Sequence, residues 1–389
     1  HLIDSGQDPL PKGYSDTVES AIAGMIELPI RLRSDQRNEF AVYYRDDGDD
    51  QLLFVVYFGD ETVSANLEIA GWDGAELVDV LRDKRSPVEG SKGEFQLEFA
   101  PYESKLLAGT SKPGSSPAAS SSRILDGEWT VSMPDHNLVI PEPVTIETEW
   151  IDRRAWEAFV IYHERFTLNL EQAVDTLVWV MDETQNYREL ERMKVFVNGH
   201  EAKLLDSPVV DPSLPAADLA PHLRPGENRI ELALEHTDYM NARDLFWKRR
   251  APAPVVRPRI FGKFVVNDGK LAQMPESFTV STGDDLADKG YGLYSGRSVY
   301  KKTLNLEQPA VLRTIEFDDL ANHAVVSIDG TEVGRALWRP WKIDCDHSLS
   351  AGDHTIEIEV TNTQANQMFE EPRPFGLLGP VTLALDIRN

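Results

Sequence analysis

From residue 38 onward the chain alternates between apolar and polar positions with a period of two. Phe40, Val42 and Tyr44 recur at every second position, Val63, Ala65, Leu67 and Ile69 do the same, and residues 94–99 alternate once more. That period sets one face of a strand on a core and the other in water. Residues 52–58 form a continuous apolar run, the mark of a buried strand, and Asp46-Asp47-Gly48-Asp49-Asp50 reads as the turn before it. Residues 156–170, 176–181, 195–197, 229–234, 298–306, 311–317, 324–328, 355–361 and 381–387 also read as strands, with Asn198-Gly199 and Asp329-Gly330 as hairpin turns. Helical patterning is confined to the start. Asp16 and Glu19 have capping-box spacing, Ala21, Ile22, Met25 and Ile26 share a face, and Pro29 ends the run.

The strand pattern repeats. Thr167-Leu168-Asn169-Leu170-Glu171-Gln172 recurs as Thr303-Leu304-Asn305-Leu306-Glu307-Gln308. Val195-Phe196-Val197-Asn198-Gly199-His200-Glu201 answers to Val326-Ser327-Ile328-Asp329-Gly330-Thr331-Glu332. The turn-and-strand run from Leu223 through Gly226 and Ile230 to Leu232 answers to the run from Leu349 through Gly352 and Ile356 to Ile358. The offsets drift from 136 to 131 to 126 residues, as loop insertions and deletions make them do.

These patterns divide the chain into a lead-in segment with a short helix over 1–37 and a small antiparallel β-sandwich over 38–108. A Ser/Gly/Pro linker over 109–122 follows, with too little apolar material to order itself. A first module occupies 123–258, opened by a strand at Leu125-Asp126-Gly127-Glu128-Trp129-Thr130-Val131, and a second occupies 259–389. Residues 238–258 join the two. The expected class is all-β, with three β-sandwich domains of which the last two are a tandem repeat.

Composition narrows the function. The 389 residues carry a net charge of −26, which argues against a nucleic-acid backbone or an anionic membrane as partner and is compatible with a neutral ligand such as a sugar. The single cysteine, Cys345, permits neither an intramolecular disulfide nor a cysteine zinc cluster. No apolar run approaches the ~20 residues that span a bilayer. The start has no secretory pattern, so the compartment stays open between a bacterial cytoplasm and secretion. The chain begins at His1 without a methionine and is expected to be a processed or excised piece of something longer.

The order of motifs in residues 160–235, and again in 298–361, resembles the galactose-binding-like jelly roll, the sugar-binding domain of large glycoside hydrolases of the β-galactosidase and β-glucuronidase type. Each run holds a strand ending in Arg or Lys before a Thr-Leu pair, an apolar strand, a Val-x-Val/Ile-Asn/Asp-Gly-x-Glu hairpin and a Leu-x-x-Gly turn. Three further stretches are similar to α-L-rhamnosidase-like enzymes: Pro258-Arg259-Ile260-Phe261-Gly262-Lys263-Phe264, Tyr294-Ser295-Gly296-Arg297-Ser298-Val299-Tyr300 and Phe375-Gly376-Leu377-Leu378-Gly379-Pro380-Val381. Residues 38–108 look like the small β domain that follows the barrel in several glycosidase families. The resemblance implies a catalytic (β/α)₈ barrel of ~250 residues on the N-terminal side of the same polypeptide. Nothing in this sequence offers eight such units. It also implies a structural calcium, for which no ligands can be named because no loop has EF-hand spacing. No other cofactor is expected.

Within the chain no catalytic constellation emerges. Glu370-Glu371 near Asn366 is the most suggestive acidic pair, but adjacent strand residues point to opposite faces and cannot flank one glycosidic bond. The nine histidines, His163, His323 and His347 among them, show no His-x-x-x-His spacing, and no Gly-x-Ser-x-Gly elbow or phosphate loop is present. No catalytic residue is therefore assigned. For carbohydrate binding, which needs an aromatic face and planar polar groups, Trp338-Arg339-Pro340-Trp341 is the best run: Trp338, Arg339 and Trp341, joined by Tyr291, Tyr294, Asn366 and Gln367. The corresponding stretch of the first module, residues 204–215, has no aromatic. The two tryptophans either bind sugar or are buried against a neighbouring domain. The expected function is a non-catalytic bracing and carbohydrate-binding region of a multidomain glycoside hydrolase. The alternatives are a self-standing lectin-like protein and a structural surface-layer or adhesion fragment.

Overall fold

The computed structural model describes residues 30–387 except 37–38, 47–50, 81–83, 111–120, 143, 154–157, 181–192, 210 and 239–257. The expected N-terminal helix, most of the linker and most of the joining segment 238–258 lie outside the described residues. The described chain is nearly all β, in six sheets. It falls into two compact units, one of the described residues before 120 together with Trp338–Pro340, the other of the remaining ones.

In the first unit, one sheet pairs the strands Ile30–Arg33, Val63–Ile69, Glu94–Phe99 and Gly90–Ser91. The other runs Phe40–Asp46, Gln51–Tyr57, Ser104–Thr110, Gly74–Asp79 and Lys84–Val88. The period of two predicted from sequence sets the inward faces: Leu53, Val55 and Tyr57 of one sheet meet Ala65, Leu67 and Ile69 of the other in a single core with Trp72, Phe95 and Phe99. Gly109 is there by necessity, since a Cβ on it would stand 2.7 Å from the Trp72 ring. The strand Ile30–Arg33, which lies in the expected lead-in, is paired in full register with Val63–Ile69.

The second unit holds both repeats, and their connection differs from a simple tandem. One sheet of the first repeat pairs His200–Glu201, Met193–Val197, Gly226–Asp238, Ala158–Leu170, Lys270–Gln273 and Phe264–Asn267, with Thr145–Arg153 beside Ala158–Leu170. The sheet facing it runs Asn137–Val139, Arg259–Gly262, Leu177–Val180, Pro215–Asp218 and Lys203–Asp206. Phe166, Leu168, Trp179, Val195, Ile230 and Leu232 fill the space between them. The second repeat is built likewise around Trp129, Tyr300, Leu312, Val326, Ile356 and Phe375.

The strands Ser121–Leu125 and Glu128–Ser132, expected to open the first repeat, pair instead with Val381–Ile387, Phe278–Ser281 and Arg297–Leu306 of the second. Conversely Arg259–Gly262, expected to open the second repeat, lies between Asn137–Val139 and Leu177–Val180 of the first. The first repeat, residues 137–273, is thus inserted into the second. Pairing of residues more than two hundred positions apart leaves no local trace in the alternation, so either arrangement fits the sequence.

The crossing into the inserted repeat is clamped at Asp135. Its carboxylate accepts hydrogen bonds from the Arg297 backbone (2.8 Å) and side chain (3.2 Å), and its backbone N–H donates to the Tyr294 hydroxyl at 3.1 Å. Lys263, on the returning stretch, donates to the Asp135 carbonyl at 3.1 Å. Asn137 then ties the carbonyls of Phe264 and Gly290 together at 3.2 and 3.0 Å.

Candidate functional site

The residues expected to form a sugar site are not one surface. Trp338 stands 54% exposed in the loop between the strands Thr331–Ala336 and Lys342–Leu349, and Arg339 is half-buried. Trp341 is half-buried against the core of the second repeat, and its carbonyl accepts from the Phe317 N–H at 2.8 Å. Tyr291 and Tyr294 belong to the core itself, 2% and 0% exposed, stacked on Phe278 and Phe375 with ring centroids 5.5 and 5.8 Å apart. Burial raises the pKa of both phenols, and the Tyr294 hydroxyl donates to the Arg297 carbonyl at 2.6 Å. Asn366 is buried too; its amide donates to the carbonyls of Gly292 (3.1 Å) and Arg373 (3.0 Å), closing a loop. Gln367 is half-buried, and its backbone carbonyl accepts from Arg259. A tyrosine or asparagine serves a core as well as a ligand when its polar tip meets a backbone group, and sequence does not show that group. Glu370 and Glu371 sit in a loop, Glu370 with a left-handed φ of 57° and Glu371 3.9 Å from Arg373. Among the described residues no group of three or more His, Cys, Asp or Glu could hold a metal ion.

A cleft of about 750 Å³ lies on the first repeat, on the outer face of its larger sheet. Phe196, His200, His222, Arg224, Arg229 and Glu231 line it. Local sequence explains the shape. Asn198 (φ 53°) and Gly199 (φ 84°) turn the hairpin between Met193–Val197 and His200–Glu201, both in the left-handed region that such a two-residue turn requires. The short 3₁₀ turn Ala220–His222 then brings an imidazole beside the hairpin. His200 and His222 stack with centroids 5.3 Å apart and ring planes 18° apart.

Beneath these side chains two asparagines hold the loops. Asn198 donates to the His222 carbonyl at 3.0 Å and to the Asn228 side chain at 2.9 Å. Asn228, fully buried, accepts from the Arg224 N–H at 2.9 Å and donates to the Arg224 and Gly226 carbonyls at 2.7 and 3.0 Å. Cross-strand register aligns Arg165, Glu231 and Phe196 in one row, because Glu231 is opposite both of the others. The Arg165 guanidinium holds the Glu231 carboxyl below its ordinary pKa at 3.0 Å, aided by His163 at 3.1 Å. Glu231 is thereby engaged from beside the cleft by a guanidinium that it shares with Glu147. Arg224 and Arg229 are exposed residues of the lining, and among the described residues neither has a carboxylate partner.

The cleft escapes a sequence reading that seeks an aromatic in the loop equivalent to Trp338. Its signal is in the alignment of the repeats. Phe196, His200, Arg224 and Arg229 stand where the second repeat has Ser327, Thr331, Ser350 and Thr355.

No protein-family model matches the chain, and no curated protein matches it. Among solved structures, a rhamnosidase from Novosphingobium sp. PP1Y matches 95% of this chain at 15% identity and a TM-score of 0.49. A GH78 family rhamnosidase of Bacillus sp. GL1 matches 68% at 13% identity and a TM-score of 0.15. The GH31 α-xylosidase of Xanthomonas citri matches 89% at 11% identity and a TM-score of 0.13. The chain spans 26, 33 and 31% of the length of these three structures.

Proposed function

We propose that the chain is a non-catalytic accessory region of a large glycoside hydrolase, of α-L-rhamnosidase type, whose barrel lies elsewhere in the polypeptide. The repeats would be galactose-binding-like jelly rolls that brace the barrel and hold glycan. The observation that carries this reading is the content of the cleft. Glycoside hydrolysis needs two carboxyl groups flanking one bond, roughly 5 to 9.5 Å apart. The cleft is lined by one carboxylate, Glu231, already ion-paired with Arg165 at 3.0 Å. A group held ionised by a guanidinium is a poor general acid. Aromatic, amide and guanidinium groups around it suit binding.

The test is an assay of the 389-residue chain and of its complete source polypeptide on nitrophenyl α-L-rhamnoside, β-galactoside and β-glucuronide. The expected result is turnover by the source polypeptide and none by the chain. Turnover by the chain alone, or a source polypeptide without hydrolase activity on any aryl glycoside, would overturn the reading. A second reading, a self-standing carbohydrate-binding protein, is favoured by the exposed Trp338 and would follow from the latter result.

A further inference from the structure

We propose that the cleft of the inserted repeat binds an anionic saccharide unit, with its acidic group between Arg224 and Arg229 and its ring against Phe196. This deepens the carbohydrate-holding part of the proposed function and rests on it.

The two repeats provide an internal control. Both carry the same hairpin and the same polar tie beneath it: Asn198 with Asn228 in one, Asp329 with His354 in the other. Both tie the hairpin to the facing strand through equivalent backbone hydrogen bonds, Asn198 to Arg229 and Asp329 to Thr355, each at 2.9 Å. The fold therefore needs the turn and the tie. It does not need what stands above them, because the second repeat manages with Ser327, Thr331, Ser350 and Thr355. Of the two, the inserted repeat alone sets a phenyl ring, two imidazoles and two guanidiniums there.

Charge selects the ligand. In a chain of net charge −26, many arginines find carboxylates: Arg33, Arg85 and Arg335 each pair with one, Arg297 and Arg313 with two. Arg224 and Arg229, on either side of one turn, have none among the described residues, although acidic residues outnumber basic ones 65 to 39. Glu231 is bonded to neither among the described residues; Arg165 and His163 hold its carboxylate at 3.0 and 3.1 Å. A pair of open guanidinium forks is matched by a carboxylate or a sulfate group. The half-buried Phe196 supplies an apolar face for the C–H side of a pyranose, and the imidazoles supply hydrogen-bond partners for hydroxyls. A cleft of about 750 Å³ is of the size that encloses small ligands. The net charge disfavours nucleic acid, the other common polyanion.

The experiment is isothermal titration of the full 389-residue chain with trigalacturonate, its methyl ester, a galactose-6-sulfate disaccharide, neutral galactotriose and sodium sulfate. Binding of trigalacturonate is expected, weakened at least about tenfold by esterification and by the double substitution R224Q/R229Q, and unchanged by R85Q. F196A is expected to weaken saccharide binding. Binding of the sulfated sugar in place of the uronate would keep the proposal and identify a sulfate ester as the anion. Equal binding of charged and neutral sugars, binding unaffected by R224Q/R229Q, sodium sulfate binding as tightly as any sugar, or no binding of any probe would overturn it. Both arginines are exposed, so their substitution is expected to leave the fold intact, which circular dichroism checks. No catalytic partner takes part, so the outcome is independent of whether the source polypeptide proves to be a glycosidase.

Discussion

His354 Nδ1 stands 2.6 Å from the Asp329 carboxylate, in the position where the inserted repeat sets Asn228 at 2.9 Å from Asn198. One tie has been made twice, once with an ion pair and once with two amides. Each couples the hairpin turn to the start of the returning strand. The Asp329 carboxylate also accepts the Thr355 N–H at 2.8 Å, as the Asn198 side chain accepts the Arg229 N–H at 3.1 Å.

The ionic version responds to pH and the amide version does not. The hydrogen bond to Asp329 raises the His354 pKa above 6.5, and the same bond lowers that of Asp329 below 3.8. The histidine's contribution is complete below 6.5 and is lost as pH rises through its raised folded value. The aspartate's is complete above 3.8 and is lost as pH falls through its lowered one. The outer repeat is thus helped most between those limits. In thermal unfolding from about pH 6 to 9, D329N/H354N is expected to lose less melting temperature than the unmodified chain, and equal losses would remove the tie as the cause.

Glu164 is the second pH-sensitive group, with the penalty inside the inserted repeat. It is 0% exposed, neither carboxylate oxygen has a hydrogen-bond partner among the described residues, and burial pushes its pKa up to about 7. The equivalent residue of the outer repeat is Tyr300, whose hydroxyl accepts from the Leu377 N–H at 3.1 Å. A carboxyl whose folded pKa is raised leaves stability untouched below 4.5, lowers it progressively from there to about 7, and holds the full penalty above. E164M is expected to stabilise the chain by about 3 kcal/mol at about pH 8 and by much less at about pH 5. A gain independent of pH would mean that packing, not charge, is responsible.

Gly296 guards the crossing at Asp135. Its φ is +142°, and an added Cβ would meet the Asp135 carboxylate at 2.6 Å. G296A combines backbone strain with displacement of the carboxylate from Arg297 and is expected to cost roughly 2–4 kcal/mol. D135N keeps the shape and weakens the charged hydrogen bonds, so it is expected to cost less. Chemical denaturation of both variants gives the ranking, and the reverse order would show that the charge outweighs the fit.

Asn228 anchors the cleft from below. N228A removes three side-chain hydrogen bonds within the turn and leaves the Arg224 N–H and the Asn198 amide each short of a partner. The expected loss is about 2–4 kcal/mol, with anion binding weakened further as Arg224 loses its fixed backbone. Unchanged binding in a folded N228A would show that Arg224 needs no support.

Much of the fold is legible where a property is local. Leu168 and Leu170, with their twins Leu304 and Leu306, are all buried, as the period of two requires, and the shared hexapeptide marks equivalent strands that both run against the turn strand of their own repeat. What is not legible depends on distant partners. Ser121 pairs with Leu385, and no feature of residues 121–132 says which repeat they complete. Tyr294 and Asn366 carry the chemistry of ligand-binding residues and use it on the Arg297, Gly292 and Arg373 carbonyls. The cleft is hidden because Phe196 stands inside the apolar run Val195-Phe196-Val197, which reads as a buried strand; its departure from Ser327 becomes visible only when the repeats are set side by side.

The insertion couples the melting of the two repeats through chain entropy alone. When residues 137–273 unfold inside a folded host, they become a loop pinned at both ends, and restricting a loop of that length costs about 4 kcal/mol beyond a constant. When the host unfolds first, its two portions are still held together by the folded guest, as a staple holds a sheaf. Each repeat therefore shortens the other's unfolded ensemble, and a protease cut at one of the two junctions leaves the guest tied to the host through the other, with the host's two portions held only by their strand pairing.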